Sequence, residues 1–459
     1  MEQLRIRNFI LCFVGGGYYA FVHRTFLEYF CAWSFVWQFM VTQALGKDGL
    51  INDVFGSHWR DEKWHEVLRL ISGMIDAKFV GDIISYLMEQ DGEEEKFQNL
   101  FLAGKCMSEV RSSQGISDVE SRLLDMLKDL TRYDLGYFYE SYDEVKLVRE
   151  IRTQAVKIVA TFWKDEPSTY TWLEKKVVSD ESEDVRAEAV RQIATGWKQE
   201  PGIFEIFKQR VVSDESDNVR REAVRQIATS WKQEPGILEL LKQWVVSNKS
   251  KSVRAEAVEQ IATGWKQEPG ILELLKQWVV SHESHHVRAE AVRQIATGWK
   301  QELGILELLK QRVVSDESHY VRREAVRQIA TGWKQEPGIL ELLKQWVVSH
   351  ESHHVRAEAV RQIATGWKQE PGIFEILYDK TLNDPFQQEE YDQDLHEIII
   401  IFATNPRHIA LEAIVKQYLD HPQTLPLLQD RAENDPDEKL QKWAKKKLQQ
   451  YTIEPRKKY

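Results

Sequence analysis

Seven tryptophans, Trp163, Trp197, Trp231, Trp265, Trp299, Trp333 and Trp367, recur at a spacing of 34 residues without exception. A fixed period of this kind means one supersecondary unit copied and stacked, with each copy burying its apolar face against its neighbours. In the copy that opens at Val185, the residues Val185, Ala189, Ile193 and Trp197 lie four apart, on one face of a helix. Ser182 is the expected N-cap, with Glu183 and Asp184 favourable beside the positive helix start. Ile203, Ile206, Phe207 and Val211 mark a second helical stripe. Pro201 is expected to open that helix at its first position, where the missing N–H costs nothing. Each repeat therefore reads as a helical hairpin, and the fold class as all-α: an α-solenoid of 34-residue hairpins.

The period equals that of tetratricopeptide repeats, but their pattern wants Leu-Gly and Tyr after the Trp and Pro at the end of the second helix. Here Lys-Gln-Glu follows the Trp, and Pro precedes the second helix. The block Asp-Glu-Ser-x-x-Val-Arg-x-x-Ala-Val-x-x-Ile-Ala resembles a HEAT repeat instead. The resemblance includes a diverged copy at 148–167 and a half-copy at 434–448, whose Lys-rich face suits a terminal cap exposed to water. HEAT-like repeats are thus expected over 146–378 and diverged repeats with a cap over 379–459.

Residues 260–302 and 328–370 are identical, which points to recent duplication, so the columns that vary are informative. One is the loop built around an unchanging Ser: Asp180-Glu-Ser, Asp214-Glu-Ser, Asn248-Lys-Ser, His282-Glu-Ser, Asp316-Glu-Ser and His350-Glu-Ser. The other precedes each Val-Val pair: Lys176, Arg210, Trp244, Trp278, Arg312 and Trp346. A position that accepts both Trp and Arg is expected to be partly buried, since both can lay an apolar body along a surface. Drift of solvent-facing loops explains such variation. Because Trp and Arg are enriched at binding hot spots and solenoids bind through extended faces, Arg210, Trp244, Trp278, Arg312 and Trp346 are also candidate partner-binding residues. His285, His286, His353 and His354 join them. These imidazoles match no metal site of stated geometry, so no metal is expected. Arg186, Arg220, Arg254, Arg288, Arg322 and Arg356 could form a ladder against loop carboxylates, weaker or absent where His or Asn replaces the Asp.

The 459 residues carry a net charge of −11, which argues against nucleic-acid binding that relies on bulk charge. Three Cys rule out a disulfide framework and fit a reducing cytoplasm. Cys12, Cys31 and Cys106 sit among apolar residues and are expected to be buried. The apolar N-terminus is broken by Gly15-Gly16-Gly17 and by His23, Arg24 and Glu28, which fits neither a signal peptide nor a membrane span. A hairpin of Ile6–Val14 with Tyr18–Val22 is expected instead. A buried helix over Thr25–Val41 should follow, with Thr25 and Glu28 forming a capping box.

The stretch from Gly15 to Ala32, Gly-Gly-Gly-Tyr-Tyr-Ala-Phe-Val-His-Arg-Thr-Phe-Leu-Glu-Tyr-Phe-Cys-Ala, is the most specific motif in the chain. It resembles the winged-helix end of NACHT-type signal-transduction NTPases, relatives of the NOD-like receptors common in filamentous cyanobacteria. The hairpin before His23 would be the wing, and segments 58–75 and 97–110 look like the helical region that follows it. The resemblance therefore implies a partial winged helix over 1–45, a helical domain over 46–145, and the HEAT repeats as C-terminal sensor. It also implies that His23 is the residue that reaches nucleotide phosphates in the off state. An imidazole suits that role because it can donate to a phosphate oxygen.

The phosphate-binding loop itself is missing. No Gly-x-x-x-x-Gly-Lys-Ser/Thr occurs, and Gly104-Lys105 is followed by Cys106. The chain reads as the C-terminal part of a larger NTPase, split or started late, with the NTPase core on a possible separate chain. No nucleophile–base–orienter set stands out, so neither catalysis nor a cofactor is expected. The expected function is the regulatory, ligand-sensing portion of such an NTPase, in signalling or antiviral defence, binding a protein ligand through the solenoid. The alternatives are a stand-alone protein-interaction scaffold and, more remotely, a HEAT-like enzyme of the phycobilin-lyase type.

Overall fold

The computed structural model describes residues 11–16, 18–111, 115–137, 141–386 and 405–453. The chain divides into two compact units, Met1–Trp231 and Lys232–Tyr459.

The first unit opens with strands β1 (Leu11–Gly15) and β2 (Tyr18–Phe21), paired antiparallel with Leu11 opposite Phe21 and Cys12 opposite Ala20. Residues 6–10 of the expected first strand lie outside the described residues. Helix α1 (Arg24–Met40) starts one residue earlier than expected, with His23 as N-cap and no side-chain cap bond. The Thr25 capping box does not form. Arg24 at the first helical position holds Glu28 in an ion pair of 2.6 Å, and a charge-assisted bond outcompetes the cap.

Short helical turns over Lys47–Gly49, Leu50–Gly56 and Glu62–Trp64 lead into α2 (His65–Met74), α3 (Ala77–Met88), α4 (Gln98–Met107) and α5 (Ser117–Leu130). Their core gathers Phe55, Trp59, Leu68, Ile83 and Phe101. Helix α6 (Tyr142–Phe162) closes that core with Ile151, Ala155 and Val159. A capping box of Ser141 and Glu144 fixes its start. It is also the first helix of the diverged repeat, so the array grows directly out of the preceding domain. The unit continues with α7 (Pro167–Ser179), α8 (Glu183–Gly196), α9 (Ile203–Ser213) and α10 (Asp217–Ser230).

The second unit repeats the pattern: α11 (Ile237–Ser247), α12 (Lys251–Gly264), α13 (Ile271–Ser281), α14 (His285–Gly298), α15 (Ile305–Ser315), α16 (His319–Gly332), α17 (Ile339–Ser349), α18 (His353–Gly366) and α19 (Ile373–Asn383). The diverged helices α20 (Pro406–Gln417), α21 (Thr424–Asn434) and α22 (Glu438–Ile453) follow. The fold is a HEAT-like helical repeat array, all-α apart from the hairpin.

Two local details differ from expectation. Pro201 does not open α9. The cap is Gly202, at φ +86°, and Pro201 sits before it in the turn. A left-handed backbone there reverses the chain, and glycine adopts it without a Cβ penalty. The tight hairpin is also not the one between the two helices of a copy. Each second helix packs most closely on the next first helix, α11 on α12 and α13 on α14, across the three-residue Asp/Asn/His-x-Ser link. Such a short connection forces its helices to be antiparallel neighbours. Ser182, Ser216 and Ser250 cap the helices they precede, each accepting a backbone N–H.

The apolar spine comes from Ala189, Val190 and Ile193 of α8 with Ile203, Phe207 and Val211 of α9, and their counterparts in later copies, all buried. The repeat Trp ends each first helix as its C-cap, so it is a boundary residue and not a central one. Trp265, Trp333 and Trp367 are buried, whereas Trp197, Trp231 and Trp299 are half-buried. In the second unit a Lys from the preceding turn lies over each ring: Lys232 over Trp265 at 5.8 Å, Lys266 over Trp299 at 5.7 Å and Lys334 over Trp367 at 5.6 Å. Each such cation–π contact contributes about 0.5–1 kcal/mol at a solvated site. Among the described residues, no helix is long and apolar enough to cross a membrane.

Candidate functional site

The column of Trp and Arg is not a surface. Trp244, Trp278 and Trp346 are only 6–7% exposed, and Lys176 and Arg312 are equally buried. Arg210 is half-buried, and its guanidinium donates to the Val178 carbonyl at 3.3 Å, at the end of the preceding second helix. The expectation of partial exposure holds for Arg210 and fails for Lys176, Arg312 and the Trp residues. The exposed apolar residue is instead the second Val of each Val-Val pair, Val212 and Val246 for example. The sequence does not distinguish it from the buried first Val.

Helix ends position an electrostatic joint between repeats. Arg186 on α8 reaches Asp214 in the next loop through Nε at 3.1 Å and Nη2 at 3.0 Å, with both side chains buried. Arg288 forms the same fork with Asp316 at 3.0 Å for both bonds, and Arg356 with Asp384 at 2.8 and 2.9 Å. Each Arg also donates to loop carbonyls; Arg288 Nη1 reaches the His282 oxygen at 2.7 Å. The Asp in turn accepts a backbone N–H two residues on, as Asp316 does from Ser318 at 2.9 Å. One carboxylate thus shapes its own loop and pins the neighbouring repeat.

The ladder changes where His replaces Asp. His282 Nδ1 accepts the Ser284 N–H at 3.1 Å, and His350 Nδ1 accepts the Ser352 N–H at the same distance. The imidazole keeps the loop bond but brings no negative charge. Arg254 and Arg322, which face these histidines, each leave a buried Nε without a hydrogen-bond partner. Burial first, then the neighbouring Arg residues, depress both imidazole pKa values, against opposing contributions from Glu283 and Glu351.

His285, His286, His353 and His354, singled out in the sequence, do come together in the second unit, joined by residues that were not. His285 stacks on Tyr320 at 5.4 Å, His319 on His354 at 4.1 Å, and His353 meets the edge of Phe386 at 5.1 Å. The His and Tyr rings occupy the first two positions of α14, α16 and α18 and are half-buried or, like Tyr320, exposed, whereas Phe386 lies beyond α19 and is buried. Burial and the positive neighbours Arg322 and Arg323 push His354 down to about 3 and lower His319. Parallel stacking turns imidazole faces, not lone pairs, toward one another. No group of three or more His, Cys, Asp or Glu able to hold a metal occurs among the described residues.

The N-terminal element leaves a bare apolar face. Helix α1 docks Ala32, Phe35, Val36 and Phe39 on the helical core. Its other side exposes Phe30, Trp33, Trp37 and Met40 at helical spacing, each 40–45% accessible, with Phe30 stacked on Phe21 of the hairpin. This contradicts the expected buried helix. His23 stands exposed at the junction of hairpin and helix. Cys12 is likewise exposed, against expectation, whereas Cys106 is fully buried with its thiol pushed up to about 12 by desolvation. Gly104-Lys105 lies inside α4, where no phosphate-cradling loop can form.

No protein-family model matches the chain, and no curated protein matches it. Among solved structures, a crystal structure of a Kap121p triple mutant is similar over 86% of this chain at 14% identity, with a TM-score of 0.33. The match covers 46% of that chain, so this chain spans less than half the length of the structure it resembles. At that score the likeness carries no argument about function.

Proposed function

We propose that this chain is a protein-binding helical-repeat scaffold that docks onto a second polypeptide module through the hairpin and α1, and that this module is a NACHT-type NTPase core. On this reading the chain is the regulatory, ligand-sensing portion of a nucleotide-operated switch. The single observation that carries it is the bare row Phe30, Trp33, Trp37 and Met40, which starts inside the motif that resembles the NACHT winged-helix end and continues past it along the same helix. Fully burying a large apolar side chain contributes about 1.5–3 kcal/mol relative to leaving it exposed, so covering the remaining 40–45% of these three aromatics and one Met favours a companion over solvent. His23, exposed beside that row, is then available to a phosphate on the docked module. A ligand that binds the repeats in only one state of the module would shift the switch by its differential affinity.

The test is co-expression with a NACHT-type P-loop module. A stable complex should form, and Trp33→Ser with Trp37→Ser should dissolve it while leaving the helical content of the chain unchanged. His23→Ala should weaken nucleotide retention by the complex without breaking it. Failure to form the complex, with the chain monomeric and stable alone, would favour the stand-alone scaffold reading.

A further inference from the structure

The second unit contains two kinds of joint between repeats. At Asp316 and Asp384, a buried Arg is held by a carboxylate. At His282 and His350, the same place is taken by an imidazole whose Nδ1 must be unprotonated, because it accepts the Ser284 or Ser352 N–H at 3.1 Å. The backbone at the end of the preceding second helix, Val245 for His282 and Val313 for His350, faces the ring and favours its charged form, against burial. The tautomer is assigned from the Ser N–H that each Nδ1 accepts.

We propose that protonation of His282 and His350 loosens the repeat array at these two joints and not at the Asp316 and Asp384 joints, so that the second unit responds to mild acid by opening at defined places. The added proton goes to Nδ1. It removes the acceptor for the Ser N–H that caps the loop and places N–H against N–H. It also sets a cation beside guanidiniums from two helices: Arg254 of α12 and Arg288 of α14 around His282, and Arg322 of α16 and Arg356 of α18 around His350. The exposed Glu283 and Glu351, in the loops themselves, are the opposing charges. The adjoining imidazoles add to the effect: His286 faces His285, Lys251 and Arg254, while His354 faces His319, His353, Arg322 and Arg323. Depressed imidazole pKa values agree with the geometry. The inference is independent of any NTPase partner.

Hydrogen exchange of the full chain, corrected for intrinsic rates and compared at about pH 7.5 and about pH 5.5, a unit below the free imidazole value of about 6.5, tests it. Amides in the last turn of α13 and first turn of α14, and likewise in α17 and α18, should lose several-fold more protection than those flanking Asp316 and Asp384. In the double variant His282→Asn, His350→Asn this difference should vanish, with protection at about pH 7.5 retained. Asn248 already shows that an amide can fill the place, accepting the Ser250 N–H at 2.9 Å. Uniform loss of protection at all four loops would overturn the proposal. So would an acid response that survives in the Asn variant, which would assign it to the stacked imidazoles instead.

Discussion

Gly236 shows how much of the repeat geometry hangs on single residues. At φ +85° it turns the chain into α11, and the space around its missing Cβ is open, so the requirement there is conformational and not steric. The residue before it is Pro in most copies and Leu303 in one, where the side chain is 98% exposed. The turn keeps the same backbone bond in that copy, Ile305 N–H to the Glu302 carbonyl at 3.4 Å, as Ile339 makes to Glu336 beside a Pro. Leu303→Pro should therefore stabilise the chain by about 0.4–1 kcal/mol, by restricting the unfolded state, and raise the urea midpoint. A lowered midpoint would mean that this turn is built differently. The Pro-Gly pair spells a turn, yet the preference of Pro for the first helical position outweighs that signal in a reading of the sequence. Burial of the second unit's column Trp residues was hidden for a similar reason: Trp and Arg in one column suggest a half-wet surface.

At the scale of elements, the two variable columns are one feature. Each Lys or Arg of the first has Asp four residues on, as in Lys176–Asp180, Arg210–Asp214, Arg312–Asp316 and Lys380–Asp384. Each Trp has Asn or His there, as in Trp244–Asn248, Trp278–His282 and Trp346–His350. Four residues is one helical turn, so the pair faces the same junction between repeats. A buried cation is accepted where a carboxylate compensates it; where the carboxylate is gone, an aromatic fills the volume without charge. The Arg ladder and its weakening at His were readable from spacing alone. The coupling needed the helix ends placed, because a loop column and a helix column look independent in a linear sequence. Asp316→Ala would leave Arg288, 5% exposed at its side chain, without its fork partner. The guanidinium keeps Glu317 and two loop carbonyls, so the expected cost is that of lost charge-assisted hydrogen bonds, about 1.5–3 kcal/mol. Urea unfolding followed by Trp fluorescence checks this, with Glu317→Ala as the exposed control that should change little.

Across the whole molecule, the all-α repeat class was legible because the period is exact, whereas the bare face of α1 was not, since an apolar run reads as buried whether or not a partner covers it. The distribution of histidines gives the chain a pH dependence with a definite sign. Burial lowers the pKa of His65 in the first unit and of His282, His286, His319, His350 and His354 in the second. For each, the unfolded chain takes up the proton at higher pH than the folded chain, so unfolding is coupled to proton uptake below about pH 6.5. Their contribution to stability is fully present above that value and is lost as pH falls through the window toward the depressed values, down to about 3 for His354. Glu290 and Asp184 act in the opposite sense, since burial raises their carboxyl pKa values and protonation relieves it. Six lowered imidazoles outnumber these two raised carboxyls, so the histidines set the sign of the slope. The urea midpoint should be level between about pH 8 and 7 and fall steadily below about 6.5, with the second unit losing more than the first. A midpoint that stays flat or rises on acidification would show that these imidazoles are not held neutral by the fold.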